Sequence, residues 1–241
     1  MEIVIYGAGV LAQLTKESVI TSGSNVAGMI DPLGNTEYKN LKEFDKDCDI
    51  IIDFSHFSSL NDILEYAVKN KKPVIIATTG HSKEQTALIE EAAKHIAVLK
   101  ATNTSFGVTM INEILSYAAK LLKGFDIELI EKHHNRKIDS PSGTAGTMLE
   151  IIQASIDEDR DLVYGREGNS KRTAKEIGVH SVRAGNIVGE HTVIFSRGDE
   201  IIEIKHEALS RKMFADGAVD AALKLVNKKS GLYSMKDLLI V

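Results

Sequence analysis

The sequence predicts an α/β protein of two domains: a doubly wound parallel sheet first, then an α+β domain with a mixed, largely antiparallel sheet. Two observations carry this. Up to about residue 105, short Val- and Ile-rich runs alternate with helical stripes, as strand-helix-strand crossovers do. Beyond that point the runs alternate apolar with polar residues and turn at glycines, the pattern of strands with one exposed face. The expected domains are 1–105, to which 214–241 return, and 106–213.

Taken in order, EIVIY, NVAGMID, CDIIIDF, KPVIIATT and AVLKAT read as buried strands bounded by Gly, Pro or polar residues. Between them, SSLNDILEYAVKN stripes Leu60, Ile63, Leu64, Ala67 and Val68, and SKEQTALIEEAAKHI stripes Ala87, Leu88, Glu91 and Ala92. MINEILSYAAKLLKG is a helix ending on Gly124 as C-cap, and FDIELIEKHH is a strand. Ser142 is an N-cap for GTAGTMLEIIQASI, whose stripe is Ala145, Met148, Leu149, Ile152 and Ile156. The polar piece from Asp157 to Glu176 reads as a long loop. IGVHSVRAG, EHTVIFSRG and DEIIEIKHEA are further strands, and MFADGAVDAALKLVNKK is a helix followed by an apolar tail. An end as apolar as LLIV needs cover, which the first domain is expected to supply.

The 241 residues are 43% hydrophobic and 26% charged, an ordinary globular balance. A net charge of −5 argues against charge-driven binding to nucleic acid or to an anionic membrane. No run approaches the roughly 18–20 apolar residues of a membrane span. The start MEIVIYGAG lacks a basic n-region, and the single cysteine, Cys48, lies between two aspartates; a cytoplasmic protein with a structural thiol is expected.

IVIYGAGVLAQLTKES is a strand, then Gly7-Ala8-Gly9, then a helix start. In a Rossmann-type turn one glycine permits the bend and another admits a pyrophosphate to the helix N-terminus; Ala12 is an accepted third position. The second strand ends on Asp31, about twenty residues on, where a ribose-binding carboxylate belongs. Asp31-Pro32 would equally suit a strand-end turn. With Pro32, Leu33 and Gly34 following, Asp31 taken alone favours NADH over NADPH, although Lys39 lies close enough in sequence to meet a 2′-phosphate. Asp53-Phe54-Ser55, Thr78-Thr79-Gly80 and Thr102-Asn103-Thr104 stand at strand ends, where ligands of parallel sheets lie.

The stretch EKHHNRKIDSPSGTAG delivers His133 and His134 to a strand end, with a loop to Asp139 and a helix after Ser142. The amides near Ser142, Gly143 and Thr144 would offer the positive end of that helix to an anion, with Lys137 beside it. A carboxylate substrate fits this chemistry. Adjacent strand residues face opposite ways, so the two histidines are not expected to share a metal, and no metal is expected. Arg136 reads as a solvated basic residue.

These residues resemble the E-x-H-H-x-x-K-x-D-x-P-S-G-T-A signature of the dihydrodipicolinate reductase family, and RAGNIVGEHTVIF and FADGAVDAA resemble its later segments. GAG, IDFS, ATTG and ATNTSFGV match in order, so the resemblance spans nearly the whole chain. It implies reduction of 4-hydroxy-tetrahydrodipicolinate by NADH and/or NADPH with loss of water, in lysine and diaminopimelate biosynthesis. By the same resemblance His133 is a proton donor and acceptor, Lys137 a proton donor, and His134 binds substrate with the Gly143-Thr144 backbone. Cofactor contacts map to Gly7, Ala8, Gly9, Val10, Leu11, Ala12, Asp31, Ala77, Thr78, Thr79, Ala101, Thr102, Asn103 and Thr104. A homotetramer is implied as well. Pro32 and Leu11 stand where many members are basic, which weakens selectivity for NADPH, and Thr104 replaces a common aromatic. Another two-domain nicotinamide oxidoreductase would lack the H-H-x-x-K loop, and a non-catalytic dinucleotide sensor would bind cofactor without turnover.

Overall fold

The computed structural model describes residues 1–239. Contacts divide the chain into two compact units, Met1–Phe106 joined by Arg211 onward, and Gly107–Ser210. The first opens with β1 (Glu2–Tyr6), α1 (Val10–Thr21), β2 (Asn25–Ile30) and β3 (Ile50–Asp53). After a 3₁₀ turn at Phe57–Ser59 come α2 (Leu60–Asn70), β4 (Val74–Ile76), α3 (Lys83–Ala93) and β5 (Ala97–Lys100). The second unit runs through α4 (Phe106–Leu121), β6 (Asp126–His133), α5 (Gly143–Ser155), β7 (Asp161–Tyr164), β8 (Glu176–Arg183), β9 (Gly189–Arg197) and β10 (Glu200–Ala208). The chain ends with α6 (Lys212–Leu225), β11 (Gly231–Tyr233) and α7 (Met235–Leu239).

The first sheet has six parallel strands in the order β11-β5-β4-β3-β1-β2. Alternation along β1 shows why it needs helices on both faces. Val4 and Tyr6 enter one buried cluster with α2 and α3 residues, while Ile3 and Ile5 enter another with α1 and α6 residues. Each such side chain, fully buried, contributes about 1.5–3 kcal/mol. The helices begin and end on local signals. Ser82 and Gln85 form a reciprocal capping box on α3, and Lys71 takes a left-handed φ of 53° to end α2. Cys48 is buried, and burial first of all pushes its thiol up to about 11, which suits the structural role expected of it.

Three local expectations need correcting, and a fourth, the cover expected for the apolar tail, is met and extended. The buried side of α3 is Ile89, Ala92 and Ala93, whereas Leu88 is exposed, because the sheet takes the face one residue further round. In α5, Ser155 rather than Ile156 completes the buried stripe; Ile156 is already extended and only partly buried. The expected loop from Asp157 to Glu176 contains β7, which pairs in parallel with β8. The apolar tail is not merely a cover: β11 adds an edge strand beside β5, and Leu238 and Leu239 of α7 join the α1–α6 cluster. Of the tail LLIV, Ile240 and Val241 lie outside the described residues.

The second sheet runs β10-β9-β6-β8-β7. β9 pairs antiparallel with both β10 and β6, and β8 pairs parallel with β6 and β7. The three consecutive strands of the sequence are therefore not a simple meander: β6 enters between β8 and β9. That register is what builds the site, since β6 ends on His133, with His134 just beyond it, and both neighbours reach that end.

Candidate active site

At the glycine turn, the Gly7 N–H donates to the Ile30 carbonyl at 2.7 Å and its φ is 129°. A Cβ there would stand 2.6 Å from the Phe54 carbonyl oxygen, so only glycine closes the bend beside β3. Gly9 caps α1 with φ −69°, and a Cβ on it would meet nothing within 4 Å. That leaves a clear approach to the N-terminus of α1, and Ala12 is fully buried behind it. The residues present therefore fit a pyrophosphate.

Asp31 is buried, and its Oδ2 accepts the Asn35 backbone N–H at 3.2 Å and side-chain amide at 2.6 Å. The turn reading and the ribose reading are thus not exclusive: one oxygen holds the turn. The stem of Lys39 runs beside Gly34 in the same loop, its Cε 3.3 Å from where a Cβ would stand. At the other strand tips much of the polarity is turned inward. Asp53 Oδ1 accepts Ser55 N–H and Oγ–H, and the Ser55 N–H also reaches Thr78 Oγ1 at 3.1 Å. Burial raises the Asp53 carboxyl despite these bonds. The Thr104 hydroxyl donates to the Phe214 carbonyl at 2.6 Å, and Asn103 Oδ1 accepts the Ser105 N–H. Thr104 is therefore spent on anchoring α6, which leaves a cofactor its backbone. Thr79 and Thr102 are exposed, and Ala77 and Ala101 continue β4 and β5.

In the second unit, β6 points Glu131 and His133 to one face, two residues apart. His133 Nδ1 lies 2.5 Å from Glu131 Oε2. Arg183 donates to both oxygens of Glu131, at 2.8 and 2.6 Å, and the Ser142 N–H donates to Oε1 at 3.2 Å. Ser142 Oγ caps α5 by accepting the Ala145 N–H and also meets His191 Nε2 at 2.8 Å. The rings of His133 and His191 stand edge to face at 5.2 Å. One expectation changes here: of the three amides offered to an anion, that of Ser142 is already taken by Glu131. Lys137 pairs with Asp139 at 2.8 Å, its N–H donates to the His134 carbonyl, and Arg136 is exposed against Asn186. No group of three or more His, Cys, Asp or Glu able to hold a metal occurs among the described residues.

The charges are set by these contacts. Burial alone would raise Glu131, but its bonds from Arg183, His133 and Ser181 outweigh it and bring the carboxyl down to about 2. Burial pushes His191 down to about 4, with nearby His133 acting the same way and Glu131 opposing. His191 is neutral in both states at high pH. As the pH falls below about 6.5 the unfolded chain gains a proton that the folded chain resists, so stability drops until about pH 4. The loss from this residue is about 3 kcal/mol across the window. Urea unfolding at pH 7 and pH 4.5 should show the drop, and His191→Gln should flatten it; an unchanged slope would assign the acid sensitivity elsewhere.

Sequence reasoning missed Glu131, Arg183 and His191 as members of the site. Glu131 carried a signal, the i, i+2 spacing to His133 on a strand. Arg183 and His191 stand in the segment RAGNIVGEHTVIF that carries the family resemblance, but their place beside Glu131 and His133 comes only from the pairing of His133 with Arg183 and of Glu131 with His191.

The chain matches known proteins over nearly its whole length. Residues 5–104 match the family model "Dihydrodipicolinate reductase, N-terminus" and residues 107–239 match "Dihydrodipicolinate reductase, C-terminus". The chain is 46% identical over 240 residues to the 4-hydroxy-tetrahydrodipicolinate reductase of Brachyspira hyodysenteriae, covering 99% of this chain and 100% of the relative. It is 44% identical over 233 residues to that of Caldanaerobacter subterraneus, covering 95% and 92%. Among solved structures, a dipicolinate-bound dihydrodipicolinate reductase from Paenisporosarcina has the same fold, with TM-score 0.78, 21% identity and 97% of each chain covered. A probable dehydrogenase from Thermotoga maritima shares the fold at TM-score 0.64 and 10% identity, covering 100% of this chain and 93% of that one.

Proposed function

This chain belongs to the dihydrodipicolinate reductase family, and we propose how its residues divide that family's chemistry. It is an oxidoreductase that reduces 4-hydroxy-tetrahydrodipicolinate to tetrahydrodipicolinate, with loss of water, in lysine and diaminopimelate biosynthesis. Its first unit is a nucleotide-binding Rossmann domain for a pyridine nucleotide. A reduced nicotinamide, when bound, supplies the hydride.

His133 and Lys137 handle the proton. His134 and the Gly143 and Thr144 backbone hold a substrate carboxylate at the N-terminus of α5. The observation that carries this assignment is the ion-paired, buried Glu131 gripping His133 within one strand end, with Lys137 in the loop that follows. The Paenisporosarcina protein was solved with dipicolinate, and a small dicarboxylate is the ligand class proposed for this chain too. Gly7, Gly9 and Ala12 seat the pyrophosphate, with Ala8, Val10 and Leu11 completing the turn. Ala77, Thr78, Thr79 and Ala101 through Thr104 border the nicotinamide half. We place the enzyme in the cytoplasm as a homotetramer assembled through the second sheet, where β10 leaves Ile201 66% exposed.

Purified protein should oxidise nicotinamide when substrate is made in place from pyruvate and aspartate semialdehyde by its synthase. Both NADH and NADPH should serve, since Asp31 suits a ribose diol and Lys39 supplies a cation in the same loop. Asp31→Ala should weaken NADH several-fold more than NADPH; equal effects would remove Asp31 from the ribose site. Binding of both cofactors without turnover would instead favour the sensor reading.

A further inference from the structure

We propose that Glu131 is the positioning residue of this site: it fixes which nitrogen of His133 carries a proton and ties that ring to the turn opening α5. This rests on the reading of His133 as a proton-handling group.

Glu131 is fully buried, and four N–H groups converge on its carboxylate together with the Ser181 hydroxyl, which can accept as well as donate and so opposes neither end of a glutamine. Oε2 faces His133 Nδ1 and one Arg183 nitrogen; Oε1 faces the other Arg183 nitrogen and the Ser142 amide. An ionised carboxylate only accepts, and a guanidinium and an amide N–H only donate. His133 Nδ1 must therefore carry hydrogen in either charge state, which makes Nε2 the nitrogen that exchanges a proton with substrate. The surroundings of Nε2 agree. It lies 3.1 Å from where a Cβ on Gly189 would stand, so the strand beside it carries no side chain to crowd it. An ion pair with Arg183 alone would satisfy a buried glutamate. The histidine at 2.5 Å and the cap amide at 3.2 Å make the same carboxylate a junction between the acid and the anion-binding turn.

Glu131→Gln separates this from mere structural support. Its amide offers one accepting oxygen and one donating NH2. With NH2 at the Oε1 place, two donors would oppose it, Arg183 and Ser142. At the Oε2 place only one Arg183 nitrogen opposes it, and it can donate to His133 Nδ1 if that atom is bare. The glutamine should therefore invert the tautomer, moving the proton to Nε2.

The test is ¹⁵N spectroscopy of the full chain carrying labelled histidine, with His133 assigned by the signals lost in His133→Gln. The neutral wild-type ring should show a protonated Nδ1 and a bare Nε2, and Glu131→Gln the reverse. The variant's kcat should fall at least about ten-fold, with cofactor affinity unchanged, and Glu131→Asp should restore part of the loss. An unchanged tautomer in Glu131→Gln overturns the proposal. If that variant does not fold, the wild type decides: a proton on Nε2 there is equally fatal. An inverted tautomer with full kcat would instead uphold the grip of Glu131 and overturn the proton-handling role given to His133.

Discussion

Lys137→Ala is expected to lower turnover by roughly 10²–10⁴-fold, the range of a lost general acid, while cofactor binding survives. The ammonium pairs with Asp139 at 2.8 Å and its side chain is only 20% exposed, so the loop holds it in one place before substrate arrives. The Lys137 hydrogen bond is also the main cause that holds the Asp139 carboxyl below its usual range. Removing a pair whose aspartate is 59% exposed should cost less than about 1 kcal/mol of stability. A large kinetic loss in a protein of near-normal stability would therefore belong to chemistry. Lys137→Arg sharpens the point: it keeps the charge for a dianionic substrate but cannot release a proton. Its KM should stay close to the wild type while kcat falls as far as in the alanine variant. Steady-state kinetics beside cofactor titration read both quantities, and normal turnover in Lys137→Ala would end the role proposed for it.

How far the sequence could be read depended on the reach of each signal. The parallel sheet was legible because its strands are buried on both faces and so appear as continuous runs such as IVIY and DIIID. The Ser142 cap and the α5 stripe were legible because both act within one turn of helix. What escaped depends on pairing at a distance. His191 was visible as part of a strand and of a family-like segment, yet only its register against Glu131 places it beside Ser142 and buries it. β7 escaped because DLVY is short and set among charges, and pairing with β8 rather than its own pattern makes it a strand. The stripe of α3 slipped by one residue since alanines weigh little in a periodicity.

The same distinction gives the two glycines of the first turn separate expected effects. Gly7→Ala puts a Cβ 2.6 Å from a backbone carbonyl at a φ of 129°, and the obstacle cannot turn aside because Phe54 N–H is bonded to Tyr6. Strain and overpacking together should cost about 2–5 kcal/mol, a large part of the roughly 5–15 kcal/mol that holds a folded chain. Gly9→Ala meets no atom within 4 Å at an ordinary φ of −69°, so it should fold with nearly unchanged stability. Its methyl would nevertheless stand where backbone must approach a pyrophosphate, and cofactor affinity should drop ten-fold or more, about 1.4 kcal/mol. Urea unfolding and NADH titration on both variants separate the two roles. Loss of stability with Gly7→Ala and loss of affinity alone with Gly9→Ala would mean that Gly7 shapes the turn on which the pyrophosphate sits and Gly9 gives the pyrophosphate room. A Gly9→Ala protein that binds NADH normally would move the pyrophosphate away from the N-terminus of α1.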